Sequence, residues 1–447
     1  MEPLCREVVR GEAFAKLKTC FREQLRASAA STSDHVVNDT FAKYIFCCSA
    51  EAQRGDGDPL LPVPSETIPS ETERRIHVLS QVVGHVPTAR RLDATLRRAA
   101  VDAVQQIRRK VSKKSTSRDF QVSVRTSGSP TRLDVLVGES ISLKLNRSHY
   151  ERLKQRFRGS GGDLELDRAV ARLLLRYKAL GGPGFQCALP PPVFRALRDD
   201  FGVTVEGFAS PLNASLKHFC SAYSDTDSAF GSRGSFFSCL TSAQDLPTEG
   251  VSVELNPPFV LPLYPRILEQ CEDVLSTQTP AISFVVILGS TPETRTRPEL
   301  AAFRASPYFR GSLVLSVTSH KYLDGEQHLV PDGRSVAMCD TEIMFLMNDK
   351  GFRRWEPTKE RIERLRAAFC STATDSHARK RSRGTQPNQS KSGPNSPIKN
   401  DSAGNGTVVL ARQKRRKERQ QERREARQLT RAKREARKLQ QKQQRRV

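Results

Sequence analysis

Apolar positions in the first fifty residues recur at spacings of three and four. In AFAKLKTCFREQLRA, Phe14, Leu17, Phe21 and Leu25 form one stripe, which predicts a helix. The Pro-, Gly- and acid-rich stretch from Gln53 to Ser70 reads as a loop. Helical spacing returns in ERRIHVLSQVVGHV and in ARRLDATLRRAAVDAVQQIRRKV, where Leu92, Leu96, Ala99 and Val104 share a face ringed by arginines. Residues 1–115 are therefore expected to form a basic helical domain. After Ser117 the period changes to two, and FQVSVRT and TRLDVLVGESISLKL read as strands. Three helical segments follow: HYERLKQRFRG, DRAVARLLLRYKAL and PPVFRALRDDFG, the last opening with prolines that a first helical turn tolerates. From Val203 strands and helices alternate. VTVEGFA reads as a strand, SLKHFCSAY as a helix, VSVELN as a strand and LYPRILEQCEDVL as a helix. AISFVVILG, SLVLSVTSH and TEIMFLMND read as strands, and ERIERLRAAF closes the folded body. This alternation predicts an α/β, Rossmann-like domain over residues 116–370 with helices on both faces of its sheet.

Composition shifts near residue 371, first to Ser, Asn, Gly, Pro and Lys and then to a run dominated by Lys, Arg, Gln and Glu. Residues 371–447 are expected to be a basic low-complexity tail, disordered or helical. Of the net charge of +24, most lies here, where 23 Lys/Arg face 6 Asp/Glu. A polycation of this kind points to nucleic acid through phosphate neutralisation. A membrane partner is not expected, since the tail lacks large apolar anchors and no run is long enough to cross a bilayer. The clusters Arg379-Lys380-Arg381 and Lys414-Arg415-Arg416-Lys417 read as nuclear import signals or RNA contacts, so the expected location is the nucleus. The ten cysteines show no CxxC pair and no metal-ligand spacing, which predicts free thiols and no metal site.

The candidate chemistry sits in VSVELNPPFVLPLY. The alternating Val251, Val253 and Leu255 end at Asn256-Pro257-Pro258-Phe259, and two prolines cannot continue a central strand because each lacks a ladder donor. The result is a stiff turn at the C-terminal end of a strand, the edge where open α/β sheets bind ligands. Methyl transfer to a planar amine suits it. The N6 lone pair of adenine is delocalised into the ring, and two acceptors that hold the N–H groups favour a lone pair aimed at a methyl donor. The Asn256 amide oxygen and the Pro257 carbonyl supply two acceptors. Phe259 supplies a stacking face. S-adenosylmethionine is then the expected cofactor, its sulfonium providing an activated methyl, and the protein mainly aligns donor and acceptor. Related motifs serve N6-adenine, N4-cytosine and protein-glutamine methyltransferases. Upstream, VTVEGFA runs into Ser210-Pro211-Leu212-Asn213; here Phe208 and Ala209 are expected to flank the cofactor, with Ser210 and Pro211 in the turn and Asn213 as a hydrogen-bonding group. The block Phe230-Gly231-Ser232-Arg233-Gly234-Ser235-Phe236-Phe237 offers close backbone approach, an arginine and aromatic rings. His218, His320 and His328 read as packing or surface residues, while Lys321, Tyr322 and His328 are candidates for lining an RNA path.

Several long segments, in one order, resemble the phosphorylated CTD-interacting factor family, the cap-specific adenosine N6-methyltransferases. They are RLLLRYKALGG, PPVFRALRDDFGV, FGVTVEGFASPLNASLKHFCSAYSDTDSAFGSRGSFF, VELNPPF, PAISFVVIL and FLMNDKGFRRWEPTKERIERL, spread over about residues 141–369. The resemblance implies methyl transfer to N6 of a 2′-O-methyladenosine that follows the 7-methylguanosine cap of mRNA. It also implies a helical domain packed on the Rossmann domain with capped RNA between them, and roles for Asn256, Pro257, Pro258 and Phe259 in binding cofactor and target adenine. Arg233 and Glu293 are carried over as substrate contacts, and Arg90 and Arg91 stand as candidates in the helical domain. The sequence also departs from the family. Val260, Leu261 and Pro262 follow the motif where the family has an acidic residue. GSTPETRTRPEL keeps Glu293 but has no tryptophan where the family has Trp-Arg-Glu. Animal members carry a WW domain, which needs two tryptophans; the single Trp355 does not supply one, so contact with the transcription machinery by that route is not expected. Two other readings stay open: an RNA-binding scaffold with a degenerate methyltransferase fold, and an adenine methyltransferase acting on other RNA or DNA.

Overall fold

The computed structural model describes residues 4–28, 33–52, 58–61, 69–114, 120–239, 247–330 and 334–382. Four helices come first: α1 (Leu4–Ser28), α2 (Asp34–Ala52), α3 (Pro69–Val83) and α4 (Val86–Lys114). The stripe expected in α1 is buried, and Phe14 and Phe21 pack their rings on Phe41 of α2 at 5.3 and 5.1 Å. On α4, Leu92 and Leu96 face the core while Arg90, Arg91 and Arg98 stay exposed.

The strands β1 (Val122–Ser127), β2 (Ser129–Val137) and β3 (Ile141–Asn146) form an antiparallel sheet of their own. They had been expected within the Rossmann region. Short turns let each pair with the next before any helix intervenes, so they close locally and never reach the main sheet. Helices α5 (Arg147–Arg156), α6 (Gly162–Leu180) and α7 (Pro191–Phe201) follow.

The main sheet has six strands. In chain order they are β4 (Val203–Ala209), β5 (His218–Ser221), β6 (Val251–Leu255), β7 (Ile282–Ser290), β8 (Phe309–Leu315) and, after the two-residue strands β9 (Tyr322–Leu323) and β10 (Ser335–Val336), β11 (Asp340–Met347). Their spatial order is β5-β4-β6-β7-β11-β8. The first four run parallel, and β11 lies antiparallel between β7 and β8. Between strands lie α8 (Ser224–Asp227), α9 (Tyr264–Thr277), α10 (Pro292–Arg295) and α11 (Pro298–Ala305), and after β11 come α12 (Asp349–Trp355) and α13 (Lys359–Ser382). The run FVVIL is apolar throughout because both faces of β7 are buried. Phe284, Val286 and Leu288 join the core that continues into the N-terminal helices, whereas Val285 and Ile287 join the core under α7 and α13. On that second face Phe201 stacks on Phe345 at 4.9 Å.

Two further expectations change. SLKHFCSAY is not a helix; its centre is β5. Leu216, Phe219, Cys220 and Tyr223 recur at helical spacing, and a four-residue strand is too short to display a period of two. Pairing with β4, Val205 beside His218 and Ala209 beside Ser221, decides the outcome. The folded chain also runs past residue 370, since α13 continues to Ser382. The rest of the basic tail, with Lys414 to Lys417, lies outside the described residues. Among the described residues no helix is long and apolar enough to cross a membrane.

A buried ion network ties the helical segment to the α/β part. Arg176 of α6 is fully buried and bridges Glu7 of α1 (2.7 Å) and Asp225 of α8 (2.7 Å), while Glu7 also pairs with Arg10, itself 2.9 Å from Asp58. Removing one member of such a set strands its buried partners. Arg176→Met is expected to lower the unfolding free energy by about 3–5 kcal/mol, read from urea denaturation. An unchanged midpoint would show that the network holds nothing together.

Candidate active site

From β4 the chain moves to β5 on one side, then returns to place β6 on the other side of β4. That reversal opens a crevice at the C-terminal ends of β4 and β6, the place where a doubly wound sheet binds ligands. The end of β4 is Gly207-Phe208-Ala209, and the end of β6 leads into Asn256-Pro257-Pro258-Phe259. Strand β6 stops at Leu255, opposite Val286, whereas β7 continues to Ser290 along β11. The motif fills the notch left beside the longer strand.

Two residues in the notch need a neighbour without a side chain. A Cβ on Gly289 would lie 2.4 Å from the Phe259 ring, so the glycine lets that ring lie against β7. A Cβ on Gly207 would lie 2.2 Å from Leu255, at the point where β4 and β6 converge. The other side of Phe259 meets Tyr322 edge-on at 6.1 Å. Tyr322 is fixed through its hydroxyl to Thr341 (2.7 Å), which also pairs with His320 Nε2 (2.8 Å).

Two clefts meet at this corner. The first, about 780 Å³ including its open mouth, is lined by Gly207, Phe208 and Ala209 of β4, by Ser221, Ala222 and Tyr223 after β5, and by Phe236, Phe237, Asn256 and Pro258. Tyr177 and Leu180 of α6, Phe46 of α2 and the turn residues Phe185 and Gln186 cover it. The rings of Phe208, Phe236 and Phe237 lie 5.1–6.0 Å apart, and the Arg266 guanidinium sits 4.0 Å over Phe237. None of the lining side chains is charged. The second cleft lies on the other side of the motif. Asn256, Pro257, Pro258, Phe259 and Tyr322 form one wall, and Lys18 of α1 with Asn38, Asp39 and Lys43 of α2 form the opposite one. Burial, followed by the nearby Arg22, holds the Lys18 ammonium below its usual pKa, and Lys43 pairs with Asp39 at 2.7 Å. Past Phe259 the space continues between His77 and Gln81 of α3 and Thr291, Thr294 and Arg297 beyond β7. Asn256 and Pro258 line both of the first two clefts.

The candidate residues separate accordingly. Asn256 is half-buried, and among the described residues nothing hydrogen-bonds its amide. The Pro258 carbonyl accepts from Val260 N–H (2.7 Å), which leaves Pro257 as the main-chain acceptor of the corner. Phe208 and Ala209 line the first cleft. Ser210 and Pro211 are buried and do not. The Asn213 side chain is engaged in the turn: its oxygen accepts from Ser210 N–H (2.6 Å) and its amide donates to the Gln186 carbonyl (3.1 Å). It borders the cleft as a brace for the β4 turn. Arg233, Arg90, Arg91 and Glu293 are exposed and line neither cleft. Glu293 projects from the first turn of α10, while its neighbours Thr291 and Thr294 face the third space. Tyr322 lines the second cleft, Lys321 does not, and His328 borders a separate space beside Lys144 and Lys178. The α1 and α2 wall, Gln186 and Tyr223 were not singled out from sequence. They come from segments far apart in the chain, and no local spacing marks them.

Beneath the crevice, Glu206 of β4 and Glu254 of β6 are register neighbours, and both are buried. Glu206 accepts from the N–H groups of Ser215 (2.8 Å) and Leu216, while one oxygen of Glu254 has no partner among the described residues. Burial pushes the Glu206 carboxyl up to about 7, restrained by those N–H groups and by Arg156 and Arg152. Burial, and then Glu206 itself, push Glu254 well above the usual carboxylate range.

The sheet order, the antiparallel strand inserted between β7 and β8, and the cleft at the β4–β6 switch define a Rossmann-like methyltransferase fold. A family model described as "Phosphorylated CTD interacting factor 1 WW domain" matches residues 148–325. The matched residues contain no tryptophan and fold as helices and α/β strands. Two curated relatives, from Homo sapiens and Mus musculus, are both named mRNA (2'-O-methyladenosine-N(6)-)-methyltransferase. They are 37% and 36% identical to the chain over 239 residues, which is 51% of this chain and 33% of each relative. The chain thus spans about a third of the length of the relatives it matches.

The acid pair makes stability depend on pH with a defined sign. Because the folded-state pKa of Glu206 lies above its ordinary value of 4.5, the folded protein binds the proton more tightly. Stability from this group therefore falls as pH rises from about 4.5 through about 7. Glu206→Gln keeps an acceptor for the two N–H groups and removes the titration. The variant is expected to gain stability relative to the parent between about pH 5 and pH 8, measured by urea unfolding. Parallel stability profiles would contradict this placement of the proton.

Proposed function

We propose that the chain is an S-adenosylmethionine-dependent methyltransferase that transfers a methyl group to N6 of the 2′-O-methyladenosine adjacent to the 7-methylguanosine cap of mRNA. The observation that carries this reading is that Asn256 and Pro258 line two clefts of different character. The uncharged, aromatic-walled cleft suits a nucleoside cofactor. The cleft flanked by Lys18 and Lys43 suits a purine attached to phosphates. The names of the two relatives support the choice of substrate.

The cofactor fits the residues present. Phe208, Phe236 and Phe237 offer aromatic faces, Gly207 to Ala209 offer close backbone, and no ammonium or guanidinium side chain in the lining repels a sulfonium. When bound, S-adenosylmethionine supplies an electrophilic methyl. The protein's own part is positional. The Asn256 amide oxygen and the Pro257 carbonyl accept the two N–H groups of the adenine amine and hold its nitrogen toward the first cleft. Phe259, braced by Gly289 and Tyr322, stacks on the ring. Prolines 257 and 258 keep these groups from relaxing, because their ring-locked backbone has little freedom to lose. The wall from α1 and α2 bounds one side of the second cleft, and Lys18 there offers a positive charge to phosphate.

Transfer of label from cofactor to RNA tests the reading. RNAs that begin with capped 2′-O-methyladenosine are expected to accept methyl, and the nucleoside product is expected to have the mass of a dimethylated adenosine. Equal labelling of uncapped internal adenines, or of duplex DNA, would remove the cap-adjacent assignment. Asn256→Ala is expected to reduce turnover by about 10²-fold or more. Phe259→Ala is expected to cost about 1–3 kcal/mol of substrate binding, seen mainly in KM. Normal kinetics in both variants would reject the site.

We place this activity in the nucleus, on the strength of the basic clusters at Arg379 to Arg381 and Lys414 to Lys417. A fluorescent fusion is expected to lose nuclear accumulation when both clusters are replaced by glutamine; unchanged accumulation would contradict the assignment.

A further inference from the structure

Tyr223 lies two residues beyond β5, in the wall of the uncharged cleft, and only 1% of it is exposed. Among the described residues its hydroxyl has no hydrogen-bond partner. Three other buried tyrosines are satisfied: Tyr44 donates to Asp93 (3.0 Å), Tyr177 to Asp227 (2.7 Å), and Tyr322 pairs with Thr341 (2.7 Å). A buried hydroxyl left unpaired costs free energy, so this one calls for a specific cause.

The groups around Tyr223 are already engaged. Asp227 accepts from Tyr177 and from the Thr226 hydroxyl (2.8 Å), and Asp225 is held by Arg176. The Arg176 guanidinium lies 5.0 Å over the Tyr223 ring, and the Tyr177 ring meets it edge-on at 5.7 Å. The phenol is thus clamped on two sides, and Tyr223 itself lines the cleft. Burial holds its pKa above the usual tyrosine value, so it remains a donor at neutral pH.

We infer that the Tyr223 hydroxyl is a hydrogen-bonding contact to the ribose of the bound cofactor. The inference rests on the methyltransferase reading above. Strand β5 is two strands from β6, about 10 Å across the sheet, so Tyr223 stands away from Asn256, where the methyl must be presented. The amino-acid end of the cofactor carries full charges that need charged or main-chain partners. A lone neutral phenol among aromatic rings, with its neighbouring carboxylates already hydrogen-bonded, suits a sugar hydroxyl instead.

Calorimetric titration of the full chain with S-adenosylhomocysteine and with 5′-methylthioadenosine, which keeps the nucleoside and lacks the amino-acid end, tests this contact. Tyr223→Phe is expected to weaken both ligands by a similar factor, about tenfold. Tyr44→Phe, at a residue that lines neither cleft, is expected to leave both affinities unchanged. In the ligand-free protein Tyr223→Phe is expected to leave the melting temperature where it is or raise it, because it removes an unsatisfied group, whereas Tyr44→Phe lowers it. Unchanged affinity, a loss confined to S-adenosylhomocysteine, or a lower melting temperature for Tyr223→Phe would overturn the assignment. Failure of the parent protein to bind either ligand would instead sink the methyltransferase reading itself.

Discussion

Strand β6 cannot continue past Leu255, because the next two pairing positions after Asn256 are prolines without N–H groups, while its neighbour β7 continues to Ser290. That mismatch in length is the constraint on which the candidate site depends. It opens the sheet at the one position where the strand order reverses, and it fills the opening with a corner too stiff to collapse into it. The corner is held from behind as well. Gly289 admits the Phe259 ring, and Tyr322, tethered through Thr341, bounds the other side. Asn256 projects where two clefts converge because its strand has ended, not because a loop happens to pass there.

The division of charge follows from which elements supply each wall. The α/β part contributes apolar and aromatic side chains to the first cleft, and the N-terminal helices contribute lysines to the second. The second wall is in place because α1 packs against α6 and is pinned there by Arg176 between Glu7 and Asp225. The same arginine backs Tyr223 in the first cleft. One buried cation therefore braces both the helical wall and the floor beside β5. Its charge is matched by two carboxylates, the arrangement in which a buried ion is tolerated.

Much of this fold was readable from periodicity. The helices of the first 114 residues, the buried β7 and the break at Asn256-Pro257-Pro258-Phe259 all announce themselves through local rules. The motif was also the part of the site most legible in sequence, since two prolines after an alternating strand have few structural meanings. What was not legible depends on long-range pairing. Strand β5 carries helical spacing and becomes a strand only beside β4. Residues 122–146 alternate like strands of the main sheet but pair among themselves. Asn213 looked like a ligand group, yet its amide is used by Ser210 and Gln186, a fact set by a turn and a partner 27 residues away. Arg233, Glu293, Arg90 and Arg91 have the right chemistry for RNA, and their positions on outward surfaces follow from packing that no short window reveals. Lys18, Lys43 and Tyr223 have no local signature at all.

The central claim is that the Asn256–Phe259 corner joins a cofactor site to a substrate site. A crystal structure of the protein with S-adenosylhomocysteine and a capped dinucleotide beginning in adenosine tests it most directly. The account predicts the cofactor between Phe208 and Tyr223, the adenine stacked on Phe259, and its amine within hydrogen-bonding distance of both Asn256 and the Pro257 carbonyl. Cofactor density elsewhere, or an adenine lying away from the corner, would contradict it.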